Sequence, residues 1–183
     1  MAENLRDFSA AVDKLISVNR DAEQGFRASA DAIPDVAMKR MFVELSEERG
    51  KFAKEIQEAV RAIGFEPTNP LGTAGTLHGV WIAIKGAILE NKAYSVLKEA
   101  EHGEDLSLDV YRQAQSFILQ PELRVIVDRH LATIQQSHDK IRDIRDEMAP
   151  PPAAPAPSPA PVSEPASTAP EPAPRAPEPV SKR

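Results

Sequence analysis

Apolar residues recur at alternating spacings of three and four through most of the first 148 residues. Between residue 4 and about residue 32, Leu5, Phe8, Val12, Leu15, Asn19, Ala22, Phe26 and Ser29 fall on one helical face, and the stripe stops at Ile33-Pro34. Asp35 is suited to cap a second helix, whose stripe is Met38, Met41, Leu45, Glu48, Phe52, Glu55 or Ile56, Ala59 and Ile63, with Gly64 as its terminator. The turn between the two is so short that they must lie antiparallel. FEPTNPLGTAGT is rich in turn formers, and LHGVWIAIKGAILEN reads as a short apolar helix that breaks at Asn91. A third helix is predicted from about 93 to 119, with Leu97, Glu101, Glu104, Leu108, Tyr111, Gln115 and Ile118 in phase. Gln120-Pro121 opens a fourth, whose stripe is Arg124, Val127, Leu131, Ile134, His138, Ile141, Arg145 and Met148. No segment of this body alternates with period two for long enough to be a strand.

Two helical hairpins joined by a connection spanning 65 to 92 predict an all-α, ferritin-like four-helix bundle, because a simple up-down bundle needs no such crossover. Composition then divides the chain. Of 17 prolines, 13 lie from Pro150 to Pro179, whereas every glycine precedes residue 104. The expected organisation is a bundle domain over 1–148 and a disordered Pro/Ala-rich tail over 149–183, extended and serving as a solubilising spacer or, alternatively, as a tether for a protein partner. The tail carries three charges of each sign, so the net charge of −6 belongs to the body and disfavours a nucleic-acid partner. Lack of cysteine excludes disulfides, zinc-thiolate sites and thiol catalysis. The N-terminus lacks the pattern of a secretory signal, and the apolar run 79–89 falls far short of the ~20 residues of a transmembrane helix. A soluble, cytoplasmic protein is expected.

Polar residues interrupt the stripes near mid-helix: Asn19, Glu48, Glu101, Glu104 and His138, with Glu23 flanking the first stripe. A lone buried carboxylate costs several kcal/mol, so such groups must be paired, protonated or bound to metal. Ferritin-like di-iron proteins use one Glu from each of two helices and Glu-x-x-His from each of the other two. The corresponding elements here are Glu23, Glu48 with Lys51, Glu101 with Glu104, and Gln135 with His138. Lys51 and Gln135 replace a histidine and a glutamate of that pattern, and a protonated Lys51 beside Glu48 would neutralise charge a metal would otherwise neutralise. Glu23, Glu48, Glu101, Glu104 and His138 remain as candidate ligands for iron or manganese.

The segments EERGKFAKEI, EAEHGEDLSLDVY and HDKIRDIRDEM, with LHGVWIAIKGAIL between them, resemble a bacterial family of ferritin-like four-helix-bundle proteins grouped as a domain of unknown function. The resemblance covers roughly residues 5 to 147. It implies the bundle fold and a distant relation to rubrerythrins and bacterioferritins, whose di-iron sites oxidise ferrous iron or reduce peroxide.

Two functional readings follow. In one, a degenerate carboxylate/His core site binds iron or manganese in a stress or metal-handling role. In the other, the acids belong to an internal salt-bridge network, and the bundle acts without catalysis through homo-oligomerisation or through its tail. His78, His102 and His130 read as surface or helix-end positions, and Trp81 as an apolar anchor for the crossover.

Overall fold

The structure, a computed structural model, describes residues 2–68, 93–118 and 120–149. Four helices make up these residues: α1 (Ala2–Ala32), α2 (Val36–Ala62), α3 (Ala93–Ala114) and α4 (Pro121–Glu147). At about 1.5 Å per residue they are roughly 33 to 47 Å long. The short helix expected in LHGVWIAIKGAILEN, Trp81 and the proline-rich tail lie outside the described residues.

The helix ends follow the sequence signals. The Asp35 carboxylate accepts from the Met38 amide at 2.8 Å and so caps α2. At the other end Gly64 adopts φ +79, its amide donates to Arg61 O, and the Phe65 amide donates to Val60 O. These paired bonds form a Schellman motif. They also turn Phe65 back onto Phe8, with ring centroids 5.1 Å apart. Pro121 starts α4 without wasting an amide donor. Helix α3 ends a turn earlier than its stripe suggests. Its last turn tightens as Ser116 and Phe117 donate to carbonyls three residues back, while Arg124 Nη1 caps the Gln115 carbonyl. The tightened turn returns Ile118 to the core.

Helix α1 packs against α2 and α3, and α4 against α3 and α2. Contacts along each seam give the directions. Phe8 meets Phe65 and Phe26 meets Phe42, so α1 and α2 are antiparallel. Glu101 reaches Arg145 and Tyr111 reaches His130, so α3 and α4 are antiparallel. Arg49 meets Ser137 and Glu55 meets His130, so α2 and α4 are antiparallel too. It follows that α2 and α3 run the same way, so the end of α2 and the start of α3 lie at opposite ends of the bundle. That is the ferritin-like arrangement, as expected.

The core has two apolar halves. One is built around Leu15, Phe52, Ile56, Leu108, Tyr111 and Ile134, the other around Ala22, Phe26, Phe42, Leu97, Ala100 and Ile141. On α2, α3 and α4 the switch between halves falls at Arg49, Glu104 and Ser137, which form a polar layer across the middle of the bundle.

Stability tests the α2 terminus. A Cβ at Gly64 would meet nothing within 4 Å, so Gly64→Ala costs only the left-handed backbone penalty. Urea unfolding should show a loss of about 1 kcal/mol without a change in slope.

Candidate functional site in the bundle core

Three helices meet at Arg49. It lies at heptad spacing between Phe42 and Ile56 on the inner face of α2, and all three residues are completely buried. Its Nη2 donates to Glu104 Oε1 and Oε2 at 2.7 and 2.8 Å and to Ser137 Oγ at 2.9 Å. The Ser137 hydroxyl donates to Glu104 Oε1 at 2.7 Å. Arg49 and Glu104 side chains are both 0% exposed, so the pair is wholly desolvated. Nε and Nη1 of Arg49 have no hydrogen-bond partner. The rings of Phe26 and Phe52, 6.0 and 5.4 Å from Cζ, offset part of that deficit by cation–π attraction.

The five candidate ligands fall into three separate groups. Glu48 neighbours this centre and is half-buried, and its Oε1 is buried without a hydrogen-bond partner. Burial pushes its pKa up and Glu104 adds to the rise, while Arg49 and Lys51 pull it back. Glu104 is held by Arg49. Glu23 lies on the α1–α2 seam, paired with Arg20 at 2.9 Å and stacked over Gly50, where an added Cβ would come within 2.7 Å of its Oε1. Glu101 and His138 face each other on the α3–α4 seam, with Nε2 4.0 Å from Glu101 Oε1. Glu101 is paired with Arg145, and His138 has Asp105 3.0 Å from Nε2 and Asp139 3.1 Å from Nδ1.

The residues present do not fit the di-metal centre that the fold implies. Among the described residues no group of three or more His, Asp or Glu is arranged to hold a metal. The physical reason is competition: a guanidinium occupies both oxygens of the most buried carboxylate, and other arginines engage Glu23 and Glu101. Lys51, expected to supply the neutralising charge, is exposed. Its neighbour Arg49 supplies it instead. Gln135 also lies off the central layer, between Arg112 and Asp139.

His130 is the second correction. Read from sequence as a surface or helix-end residue, it is fully buried and stacks on Phe52, with centroids 3.8 Å apart. Asn19 Nδ2 donates to Tyr111 Oη at 2.7 Å, and Tyr111 Oη lies 3.1 Å from His130 Nδ1. His130 Nε2 lies 2.7 Å from Glu55 Oε2, which also meets Arg129. A neutral imidazole satisfies this chain: Nδ1 accepts from tyrosine and Nε2–H donates to the carboxylate. Burial accordingly pushes His130 down to about 4, against an opposing pull from Glu55. One helix after another, α1, α3, α4 and α2 are tied into a single polar chain.

The bundle and its ion-paired core define an all-α protein of the ferritin-like class. A mutant of Dps1 from Mycobacterium smegmatis has the same fold, with a TM-score of 0.59 over 79% of this chain and 99% of the Dps1 chain, at 13% identity. Residues 7–116 match the family described as Domain of unknown function (DUF2383), and the chain belongs to that family. No curated protein matches its sequence.

Breaking the central pair should be costly. Arg49→Met leaves Glu104 buried and uncompensated, with an expected loss of about 3–5 kcal/mol in chemical denaturation. Adding Glu104→Leu to it should recover most of that loss, because an apolar layer of similar volume replaces the ion pair.

The His130 shift gives a pH dependence. Its folded pKa is depressed from the ordinary 6.5 to about 4, so the unfolded chain binds the extra proton in that window. The stability it contributes is therefore complete above pH ~6.5 and is lost as pH falls towards 4, on the order of 2–3 kcal/mol. Urea midpoints measured across this range should fall more steeply for the wild type than for His130→Gln.

Proposed function

We propose that this chain is a structural, interaction-bearing bundle of the ferritin-like class, acting through association of its outer faces and through its proline-rich C-terminal segment. The observation that carries this reading is the Arg49 guanidinium, which neutralises Glu104 at the level where a ferritin-like bundle would use metal. Among the described residues no helix is long and apolar enough to cross a membrane, which accords with a cytoplasmic setting. Homo-oligomerisation is part of the same proposal, since long bundles of this kind present extensive outer helical faces.

The stretch HDKIRDIRD supports a structural role as well. It forms a polar ladder along α4: His138 Nδ1 lies 3.1 Å from Asp139 Oδ1, Arg142 pairs with Asp139 and Asp143, and Arg145 pairs with Asp146 and with Glu101 on α3. These are seam and surface contacts, individually worth little.

A second reading keeps metal handling, with iron or manganese drawing its ligands from among Glu23, Glu48, Glu101, Glu104 and His138 rather than from all five at one point. The buried, unpartnered Glu48 oxygen and the fold shared with Dps1 favour it. Elemental analysis of protein purified without added metal, together with thermal melts in ferrous or manganous ion, separates the two. A structural bundle should carry less than about a tenth of an equivalent, whereas ion at a hundred times its dissociation constant would stabilise a true site by about 2.7 kcal/mol. Stoichiometric metal with that stabilisation would establish the second reading.

A further inference from the structure

Tyr111 is fully buried, and its phenol oxygen has two close polar neighbours, Asn19 Nδ2 at 2.7 Å and His130 Nδ1 at 3.1 Å. Asn19 Nδ2 also donates to Leu15 O at 2.7 Å, an atom that can only accept, so the amide nitrogen meets the phenol as a donor. The phenol hydrogen is then left to point at His130 Nδ1. That nitrogen is a free base, because the imidazole is neutral and its one N–H, on Nε2, is directed to Glu55 Oε2 2.7 Å away. Stacking on Phe52 holds the ring in this orientation. The Glu55 side chain is 42% exposed, so a chain that begins at a sealed phenol ends in water.

A phenol placed in this way resists ionisation. Burial pushes the Tyr111 pKa up, so no phenolate is on hand to be oxidised. Taking an electron while leaving the proton in place would create an unpaired cation in a core that already holds Arg49. Moving the proton along its hydrogen bond as the electron leaves avoids that charge.

We propose that Tyr111 is a redox site, a one-electron donor to diffusing oxidants whose proton leaves through His130 and Glu55. The Tyr111 O–H bond breaks, its electron passes to the oxidant, and its proton bonds to His130 Nδ1. The proton on Nε2 moves to Glu55, which releases it to water. The products are a neutral tyrosyl radical, a neutral imidazole with its hydrogen on Nδ1, an unchanged carboxylate, one proton in solution and an oxidant reduced by one electron. The oxidant is a one-electron acceptor such as an oxidised metal complex or an inorganic radical. It need not enter the bundle, since Tyr111 lies about one helix width, ~10–12 Å, beneath the surface and electrons tunnel through packed protein. Asn19 remains as a donor to the phenoxyl oxygen, and burial keeps the radical from coupling with a second phenol. This chemistry is independent of how the bundle associates, and so goes beyond the structural reading rather than resting on it.

The test is flash photolysis of the full-length chain with ruthenium tris-bipyridine and persulfate at neutral pH, with the tyrosyl radical read by optical absorption and electron paramagnetic resonance. The sequence has two tyrosines, and Tyr94→Phe removes the other one. In that background a tyrosyl radical should form, more slowly in D2O than in H2O, and Tyr111→Phe should abolish it. His130→Gln keeps a hydrogen-bond acceptor but not a base, and should slow formation at least about tenfold. Glu55→Gln, at the exposed end of the chain, should slow it as well. Circular dichroism checks the fold of each variant; if His130→Gln does not fold, the Glu55→Gln rate and the solvent isotope effect decide. A radical that forms only elsewhere in the chain, a rate unchanged in Glu55→Gln or in folded His130→Gln, or equal rates in H2O and D2O overturns the proposal.

Discussion

A guanidinium sealed in the middle of a helical bundle constrains everything around it. A guanidinium is a permanent charge in proteins, so burying one demands a partner of opposite sign. Desolvating the pair costs several kcal/mol per ion and is repaid only by close, well-oriented contacts. Those contacts come from α3 and α4, through Glu104 and Ser137. Sliding any of the three helices by one turn would move a partner about 5.4 Å and leave a buried charge alone. A pair with that dependence acts on helical register more than on net stability, and apolar clusters lie on either side of it.

The fourth helix is drawn in one layer away. Asn19 on α1 reaches Tyr111 on α3, which reaches His130 on α4, which reaches Glu55 on α2. This chain is neutral inside and charged only at its exposed end, where Glu55 meets Arg129. The two layers are unlike: the Arg49 layer is an ion pair, whereas the His130 layer is built on a neutral imidazole. Acid should thus loosen the bundle at His130, whose burial holds its pKa well below the ordinary value.

Much of the fold was legible in the sequence, because helix stripes, Pro34, Gly64, Pro121 and the long 65–92 connection each act through local chemistry. The core site was less so, and the error was one residue of helical phase. On α2 the apolar stripe passes through Glu48, but the innermost position is Arg49, in step with Phe42 and Ile56. On α4 the stripe passes through His138, but the buried face is Leu123, Val127, His130, Ile134, Ser137 and Ile141. Neighbouring positions differ by only about 100° around a helix, so either line collects enough apolar residues to pass. A fully buried arginine is rare enough that composition steers a reader away from it. The heptad step from Phe42 through Arg49 to Ile56 was the signal that would have found it. On α3, by contrast, Glu101 and Glu104 are both buried as their stripe implies. Those two acids part company at the next level: one faces Arg145 at the seam, the other Arg49 at the centre.

What occupies the middle of the bundle is decided most directly by a crystal soaked aerobically in ferrous and in manganous salt, with anomalous difference maps at each metal edge. The expected result is no peak in the central layer, with Arg49 Nη2 lying against both oxygens of Glu104. A metal peak about 2.2 Å from the Glu104 carboxylate, with the arginine displaced, would contradict an ion-paired core.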